Sequence, residues 1–244
     1  MSTIENCCAI LVAAGSSTRM SSCSSSKQFI PLLGIPAIAH TLTAFEAAQL
    51  IQEIVVVCRL EDKKEMLSII HQYHIKKVSM LVPGGKTRQQ SVAAGILAAS
   101  AQAAYFAIHD GARPLIQPQA IDAVVQDAFL HKASALGTPV KDTIKIIDEN
   151  GFVVSTPNRS SLWAVQTPQV FERELYNRAM KQAEEQAADY TDDCQLMEHI
   201  GVKVHLCLGE YTNLKLTTQE DTAFAEVILK KCRNEAENEN RSRL

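Results

Sequence analysis

Ile54-Val55-Val56-Val57-Cys58 is an unbroken run of apolar, mostly β-branched residues. A strand with one wet face alternates apolar and polar residues, so a run without polar alternates needs cover on both faces, which parallel sheets obtain from helices. Ala9-Ile10-Leu11-Val12 and Tyr105-Phe106-Ala107-Ile108 are further short apolar strands, and Val78-Ser79-Met80-Leu81-Val82 reads as another strand. Between them, residues 37–48, with Ile38, Leu42 and Phe45 at helical spacing, 63–73 and 92–101 read as helices. Alternation of this sort predicts right-handed crossovers and an α/β fold, a Rossmann-like three-layer sandwich with a mostly parallel central sheet and ligands at the carboxyl ends of its strands. Beyond these, 121–132, 173–188 and the residues leading to His199 read as helices, 133–140 and 202–208 as strands, and 220–231 as a closing helix before a polar tail expected to fray. At 244 residues and 46% hydrophobic composition, the whole of 1–244 is expected to form one domain.

Strand ends are then the places to look for chemistry. The first strand breaks into Ala13-Ala14-Gly15-Ser16-Ser17, small enough for backbone N–H groups to converge on an anion, and Arg19 and Lys27 follow. Such a loop suits a polyphosphate, and its cations suit phosphoryl or nucleotidyl transfer, where negative charge grows on the reacting phosphorus. A small-residue turn with incidental charges is the plain alternative. Neither G-x-G-x-x-G nor G-K-[ST] is present, which sets aside the dinucleotide and nucleotide-hydrolase loops. The third strand ends in Pro83-Gly84-Gly85-Lys86-Thr87-Arg88-Gln89-Gln90-Ser91, either a second ligand loop, with Arg88 and Ser91 about one helical turn apart, or a glycine turn with a capping serine. The fourth runs into His109-Asp110-Gly111-Ala112-Arg113-Pro114. There Asp110 is either a carboxylate that meets a metal-bound phosphate or the cap of the turn, ion-paired with Arg113.

Residues 143–147 and 152–155 flank Asp148-Glu149-Asn150-Gly151, a hairpin signal, since Asn-Gly tolerates the positive φ of tight turns. Its strands are more apolar than a lone ribbon can bury, and a second subunit is the natural cover. Thr191, Asp192 and Asp193 read as a capping cluster at a helix start.

Taken together, these segments resemble the cytidylyltransferases that act on methylerythritol phosphate and on ribitol or related polyol phosphates, a branch of the nucleotidyltransferases. The resemblance rests on Ala14-Gly15-Ser16-Ser17-Thr18-Arg19-Met20 with Lys27-Gln28, on Gly84 to Ser91, on His109 to Pro114, on Arg159-Ser160-Ser161-Leu162-Trp163 with Gln166-Thr167-Pro168-Gln169, on Tyr190-Thr191-Asp192-Asp193, and on Asn213-Leu214-Lys215-Leu216-Thr217. It implies transfer of CMP from CTP to a polyol phosphate with release of pyrophosphate, assisted by Mg²⁺ or another divalent cation with Asp110 on the metal side. Arg19 and Lys27 would stabilise the five-coordinate phosphorus, and Arg159 and Lys215 would place the acceptor phosphate. Gly85, Arg88 and Ser91 would hold cytosine and ribose, while Ala13, Ala14, Gly15, Gly111, Arg113, Thr143 and Thr167 complete the substrate contacts.

In the same family the hairpin is an arm, here an insertion at 141–160, that reaches across a homodimer and would carry Thr143 and Arg159 to the partner's loop. Methylerythritol phosphate is the nearer acceptor and ribitol 5-phosphate the alternative. A non-catalytic nucleotide-binding homologue is the reading of a different class, and the presence of all five of Arg19, Lys27, Asp110, Arg159 and Lys215 speaks against it. The chain departs from the family at Ser17, where glycine is common, and at Ser26, where proline commonly precedes the lysine. Lys86, Thr87 and Gln89 stand where the family often has Asp or Glu, so no role is carried onto them.

Charge and composition narrow the rest. A net charge of −3 and a pI near 6.2 leave no basic stripe for a nucleic acid or a membrane surface. No apolar run reaches the roughly 18 residues of a membrane helix, and the start of the chain lacks a secretory pattern, so a cytoplasmic location is expected. Seven cysteines without a C-x-x-C pair read as free thiols.

Overall fold

The computed structural model of the chain describes residues 5–15 and 26–242. In chain order its elements are β1 (Cys7–Ala13), β2 (Pro31–Leu32), β3 (Ile35–Pro36), α1 (Ala37–Ala47), β4 (Ile51–Cys58), α2 (Lys63–Gln72), β5 (Val78–Pro83), α3 (Arg88–Ala98), β6 (Tyr105–Asp110), α4 (Pro118–His131) and β7 (Ala133–Pro139). There follow β8 (Ile146–Ile147), β9 (Val153–Ser155), β10 (Trp163–Glu172), α5 (Arg173–Glu185), α6 (Asp193–His199), β11 (His205–Leu208) and α7 (Gln219–Ser242). Among the described residues the main sheet runs β11-β7-β10-β6-β1-β4-β5. Its neighbours are parallel, except that β10 is antiparallel to both β6 and β7.

The two-sided cover demanded by the central apolar run is what forms. Successive side chains of a strand point to opposite faces. Cys7, Ala9, Leu11 and Ala13 of β1, with Ile54 and Val56 of β4, pack against Ile38, Leu42 and Phe45 of α1, Met66 of α2 and Val124 of α4. Cys8 and Ile10, with Val55 and Val57, pack on the other face against Val92 and Ile96 of α3, Tyr176 and Met180 of α5, and Met197 of α6. Fully burying one such aliphatic side chain stabilises the fold by about 1.5–3 kcal/mol, which is why none of these positions is polar. Helix α3 lies directly on the sheet at Gly95, where a Cβ would sit 2.5 Å from Ile10 Cγ2 and 2.9 Å from Val57 Cγ2.

From β1 the chain steps outward to β4 and β5, then returns to place β6 on the other side of β1. The reversal opens a crevice at the carboxyl ends of the strands, the usual ligand position in such sheets. Loops after β1, β5 and β6 meet there.

The structure departs from the sequence pattern in several places. Helix α3 begins at Arg88 rather than near residue 92, because the Thr87 side chain caps it by accepting the Gln90 N–H. Strand β10 is not legible in the pattern, since Gln166, Thr167 and Gln169 interrupt the apolar residues and Pro168 argues against a central strand. The ladder to β7 shifts between Val165 and Gln169, and the proline lies in that break. Helix α7 continues to Ser242, through the tail expected to fray, where no proline or glycine stops it. Strand β11 is confined to His205–Leu208, shorter than 202–208.

The hairpin forms as β8 and β9, with Gly151 at φ +85° in its turn. Among the described residues Cys7, Cys8, Cys58, Cys194, Cys207 and Cys232 are free thiols, and Cys23 lies outside them. No helix among the described residues is long and apolar enough to cross a membrane.

Candidate active site

A cavity of about 330 Å³ opens at the carboxyl ends of β1, β5 and β6. Ala13, Ala14 and Gly15 line it from the loop after β1, Lys86, Thr87, Arg88 and Ser91 from the loop and helix after β5, and Asp110 and Ala112 from the end of β6, with Lys27, Gln28 and Lys215 closing the rim. Among the described lining residues, four cationic side chains (Lys27, Lys86, Arg88 and Lys215) meet one carboxylate, Asp110. The surplus of positive charge lies in a chain of net charge −3. A cleft of that sign concentrates polyanions.

Asp110 is the node of this site. Its backbone N–H donates to Thr167 Oγ1 at 3.1 Å, the Thr167 hydroxyl donates to His109 Nδ1 at 3.0 Å, and His109 Nε2 donates to the Arg113 carbonyl at 3.3 Å. The carbonyl can only accept, so the His109 proton sits on Nε2 and leaves Nδ1 free to accept. Burial pushes His109 down to about 3, so the ring stays neutral despite its acidic neighbour. Thr167, on β10, thereby fixes the end of β6.

The Asp110 carboxylate faces Lys215 Nζ at 2.8 Å, Arg88 Nε at 3.3 Å and Arg113 Nε at 3.8 Å. Burial alone would raise its pKa, but Arg88, Lys215 and Arg113 together hold it well below the usual carboxylate range. Lys215 reaches this position because residues 213–217 are tied to the β6 turn. Arg113 Nη1 donates to the Asn213 carbonyl at 2.7 Å, the Leu216 N–H donates to the Ala112 carbonyl at 2.8 Å, and Asn213 Nδ2 donates to the Thr167 carbonyl at 3.0 Å.

Arg88 is held from behind. Its Nη1 pairs with Asp193 Oδ2 at 2.6 Å, and the Tyr176 hydroxyl donates to Asp193 Oδ1 at 2.6 Å. Asp193 is 2% exposed. This corrects the capping-cluster reading of Thr191, Asp192 and Asp193. Asp192 does cap α6, accepting the Gln195 N–H, whereas the buried Asp193 carboxylate turns inward to pair with the partly exposed Arg88. Removing Arg88 would strand the buried Asp193 carboxylate, at a cost of roughly 3–5 kcal/mol.

Two further anchors set the loops. Ser91 Oγ accepts the Gly85 N–H at 3.1 Å and donates to the Thr87 carbonyl at 2.9 Å, holding the turn after β5. At Gly84 a Cβ would lie 2.3 Å from Ala14 Cβ, so the close approach that this glycine permits is to the first loop of the chain itself. Lys27 stands between Ser26 and Gln28, and both flanking side chains bond to the buried Asp62, Ser26 Oγ at 3.2 Å and Gln28 Nε2 at 2.9 Å. Arg59 Nε completes the cluster at 2.7 Å from Asp62, and Arg59 Nη2 donates to Ser26 Oγ. The serine that replaces the family's common proline thus supplies a hydroxyl that anchors the lysine's backbone.

Of the residues singled out in the sequence, Ala13, Ala14, Gly15, Lys27, Arg88, Ser91, Asp110 and Lys215 come together around the cavity. Gly85, Gly111, Arg113 and Thr167 support them from behind, Gly111 packing so that a Cβ would lie 3.1 Å from Ala13 Cβ. Thr143 and Arg159 are exposed on the arm and are not among the residues lining the cavity; Arg159 Nη1 donates to the Lys141 carbonyl at 2.9 Å. Arg19 lies outside the described residues. Sequence reasoning passed over Gln28, Lys86 and Thr87 in the lining and Asp62, Tyr176 and Asp193 behind it. The first three sit within or beside flagged motifs. The last three act on the cavity through residues too distant in sequence for any spacing rule, Asp62 on Ser26 and Gln28, and Tyr176 and Asp193 on Arg88.

The donor set also suits a divalent cation of the magnesium type. Mg²⁺ is commonly held by one or two carboxylates together with substrate phosphates, its remaining positions kept by water. A single carboxylate, kept ionised by its neighbours, at the mouth of an anion-attracting cavity fits that pattern.

Comparison with known proteins gives the family. The family model described as IspD: 2-C-methyl-D-erythritol 4-phosphate cytidylyltransferase matches residues 7–231. A 2-C-methyl-D-erythritol 4-phosphate cytidylyltransferase of Caldanaerobacter subterraneus subsp. tengcongensis is 43% identical over 227 residues, covering 93% of this chain and 100% of the relative. One from Clostridium botulinum is 44% identical over 223 residues, covering 91% of this chain and 96% of the relative. The crystal structure of 4-diphosphocytidyl-2C-methyl-D-erythritol synthase from Anaerococcus prevotii superposes with a TM-score of 0.84 at 32% identity, covering 93% of this chain and 97% of that one.

Proposed function

Because the chain belongs to the 2-C-methyl-D-erythritol 4-phosphate cytidylyltransferase family, we propose that the cavity around Asp110 is where it transfers CMP from CTP to 2-C-methyl-D-erythritol 4-phosphate. The products are 4-diphosphocytidyl-2-C-methyl-D-erythritol and pyrophosphate, and the reaction is a step of isoprenoid biosynthesis. The relatives named above share this acceptor, so ribitol 5-phosphate is not favoured. The observation that carries the reading is the cluster of Lys27, Lys86, Arg88 and Lys215 around one carboxylate, beside a loop of small residues.

In this mechanism an oxygen of the acceptor phosphate attacks the α-phosphorus of CTP in line. A new P–O bond forms, the bond to the bridging oxygen of the β-phosphate breaks, and pyrophosphate leaves with that electron pair. The backbone of Ala13 to Gly15 cradles the phosphates. Lys27, with Arg19, sets positive charge where the five-coordinate phosphorus gathers negative charge, and such preorganised charge is commonly the largest contribution to catalysis. Lys215 holds the acceptor phosphate, while Gly85, Arg88 and Ser91 form the cytidine side. Mg²⁺, when bound, would be held by Asp110 and the triphosphate and would neutralise phosphate charge.

The enzyme works as a cytoplasmic homodimer of one-domain chains, with the arm at 141–160 completing the partner's site through Thr143 and Arg159. What supports this is the exposed apolar surface of the arm, Ile146, Ile147, Phe152, Val153 and Val154, together with the absence of Thr143 and Arg159 from the described lining of their own chain's cavity. Pyrophosphate release with CTP and 2-C-methyl-D-erythritol 4-phosphate tests the reaction. Expected are rapid turnover with this pair and little with ribitol 5-phosphate or UTP; equal kcat/KM for both acceptors would overturn the assignment of substrate.

A further inference from the structure

We propose that Asp127, His131 and His205 form a zinc-class metal site at the end of the sheet opposite the nucleotide cavity. Asp127 and His131 lie one turn apart on α4, and His205 is the first residue of β11, paired in register with Ser134 near the start of β7. The cavity sits where the parallel strands end, whereas this cluster sits where β7 and β11 begin.

The three candidate ligand atoms lie within 4.8 Å of one another. Asp127 Oδ2 is 2.7 Å from His205 Nδ1, and Asp127 Oδ1 is 3.8 Å from His131 Nε2. The two imidazoles are stacked with centroids 4.2 Å apart and planes 26° from parallel. The Ser134 hydroxyl donates to Asp127 Oδ2, the kind of outer bond that orients a ligating carboxylate. Both imidazoles are about half exposed, so rotation of side chains alone can close the set on an ion.

Two imidazole nitrogens and one carboxylate oxygen, with a position left for water, are donors suited to Zn²⁺. Mg²⁺ and Ca²⁺ favour oxygen throughout. The chain would therefore separate two metals by ligand chemistry: an oxygen-loving ion at Asp110 and a nitrogen-loving one here. Its effect follows from position. Among the described residues, strand β11 is the edge of the sheet and pairs only with β7. A bound ion would tie its first residue to the last turn of α4.

Ligands must be deprotonated, so tag-free protein is titrated with zinc chloride at pH about 7.5, by calorimetry and by thermal melting. Expected are one Zn²⁺ per chain and a Tm raised by several degrees at about a hundredfold excess over Kd. The double variant His131→Gln, His205→Gln should lose both responses while keeping wild-type pyrophosphate release, since neither residue lines the cavity. No zinc-dependent rise in the wild-type protein, or the same stoichiometry and affinity in the double variant, would overturn the site.

Discussion

Single residues in this site act mainly by holding other residues still. Arg88 reaches the cavity with one side of its guanidinium on Asp110 and the other on the buried Asp193, which Tyr176 steadies in turn. Asp193→Asn should therefore raise KM for CTP by about tenfold or more, with a smaller loss of kcat, as expected when a positioning group rather than a reacting one is lost. Tyr176→Phe removes a single hydrogen bond and should move KM the same way by less. Unchanged KM in both variants would show that Arg88 does not depend on them. His109 gives a pH signature. Its pKa is pushed from 6.5 down to about 3 by burial, so below pH 6.5 the unfolded chain takes up a proton that the folded chain refuses. The stability that His109 contributes is full above that pH and falls as the pH drops toward 3, by about 1.4 kcal/mol per unit. Asp110, with its carboxyl held below the usual range, adds a loss in the same direction at more acid pH. Urea denaturation at pH 6.5 and pH 5 should thus differ by about 2 kcal/mol more in the wild type than in His109→Gln, and equal differences would refute the assignment. Asp110 is legible in the sequence because it stands in a motif at a strand end, and Lys27 because it follows the small-residue loop after β1. Asp193 is not, because its role depends on Arg88, which only the folded chain brings near.

Among the elements, the arm carries the sharpest test. If each site draws Lys27 from one chain and Arg159 from the other, Lys27→Ala and Arg159→Ala should both be inactive alone, yet recover on co-expression. Random pairing gives about half mixed dimers, each with one intact site, so activity should return to roughly a quarter of wild type under two-fold symmetry. Mixed dimers that form but stay inactive would place both residues in the same chain's site. The elements also show where sequence patterns carry information. Strands β1, β4 and β6 are buried on both faces and declare themselves by unbroken apolar runs. Strand β10 is buried from Gln166 to Phe171, but Gln166, Thr167 and Gln169 spend their polar groups inside the protein, on Glu210, His109 and Asp192. Polar residues satisfied in this way look like loop residues until their partners are known. With Asn213 Nδ2 donating to Gln166 Oε1 and the Thr167 carbonyl, β10 braces the end of β6 against residues 213–217.

At the scale of the molecule, charge is distributed against its own average: a net acidic chain with a basic cavity. Raising ionic strength from about 0.02 to 0.5 M should shrink the Debye length severalfold and raise KM for CTP while leaving kcat nearly constant. A KM indifferent to salt would mean that the cavity's field plays no part in capture. The overall architecture was the most legible level, since the order of strands and helices alone fixes a doubly covered sheet with its crevice at the strand ends. The convergence of loops on that crevice has a pharmacological consequence. Gly84 lies so close to Ala14 that a Cβ would come within 2.3 Å, and at Gly111 a Cβ would make a tight contact of 3.1 Å with Ala13 Cβ. An inhibitor resting on this floor would press against residues that have no room for one more carbon. Resistance that arises by thickening the wall of a pocket would here push the loops apart and cost the enzyme its own substrate, so escape would have to come from the exposed rim, at Lys86, instead.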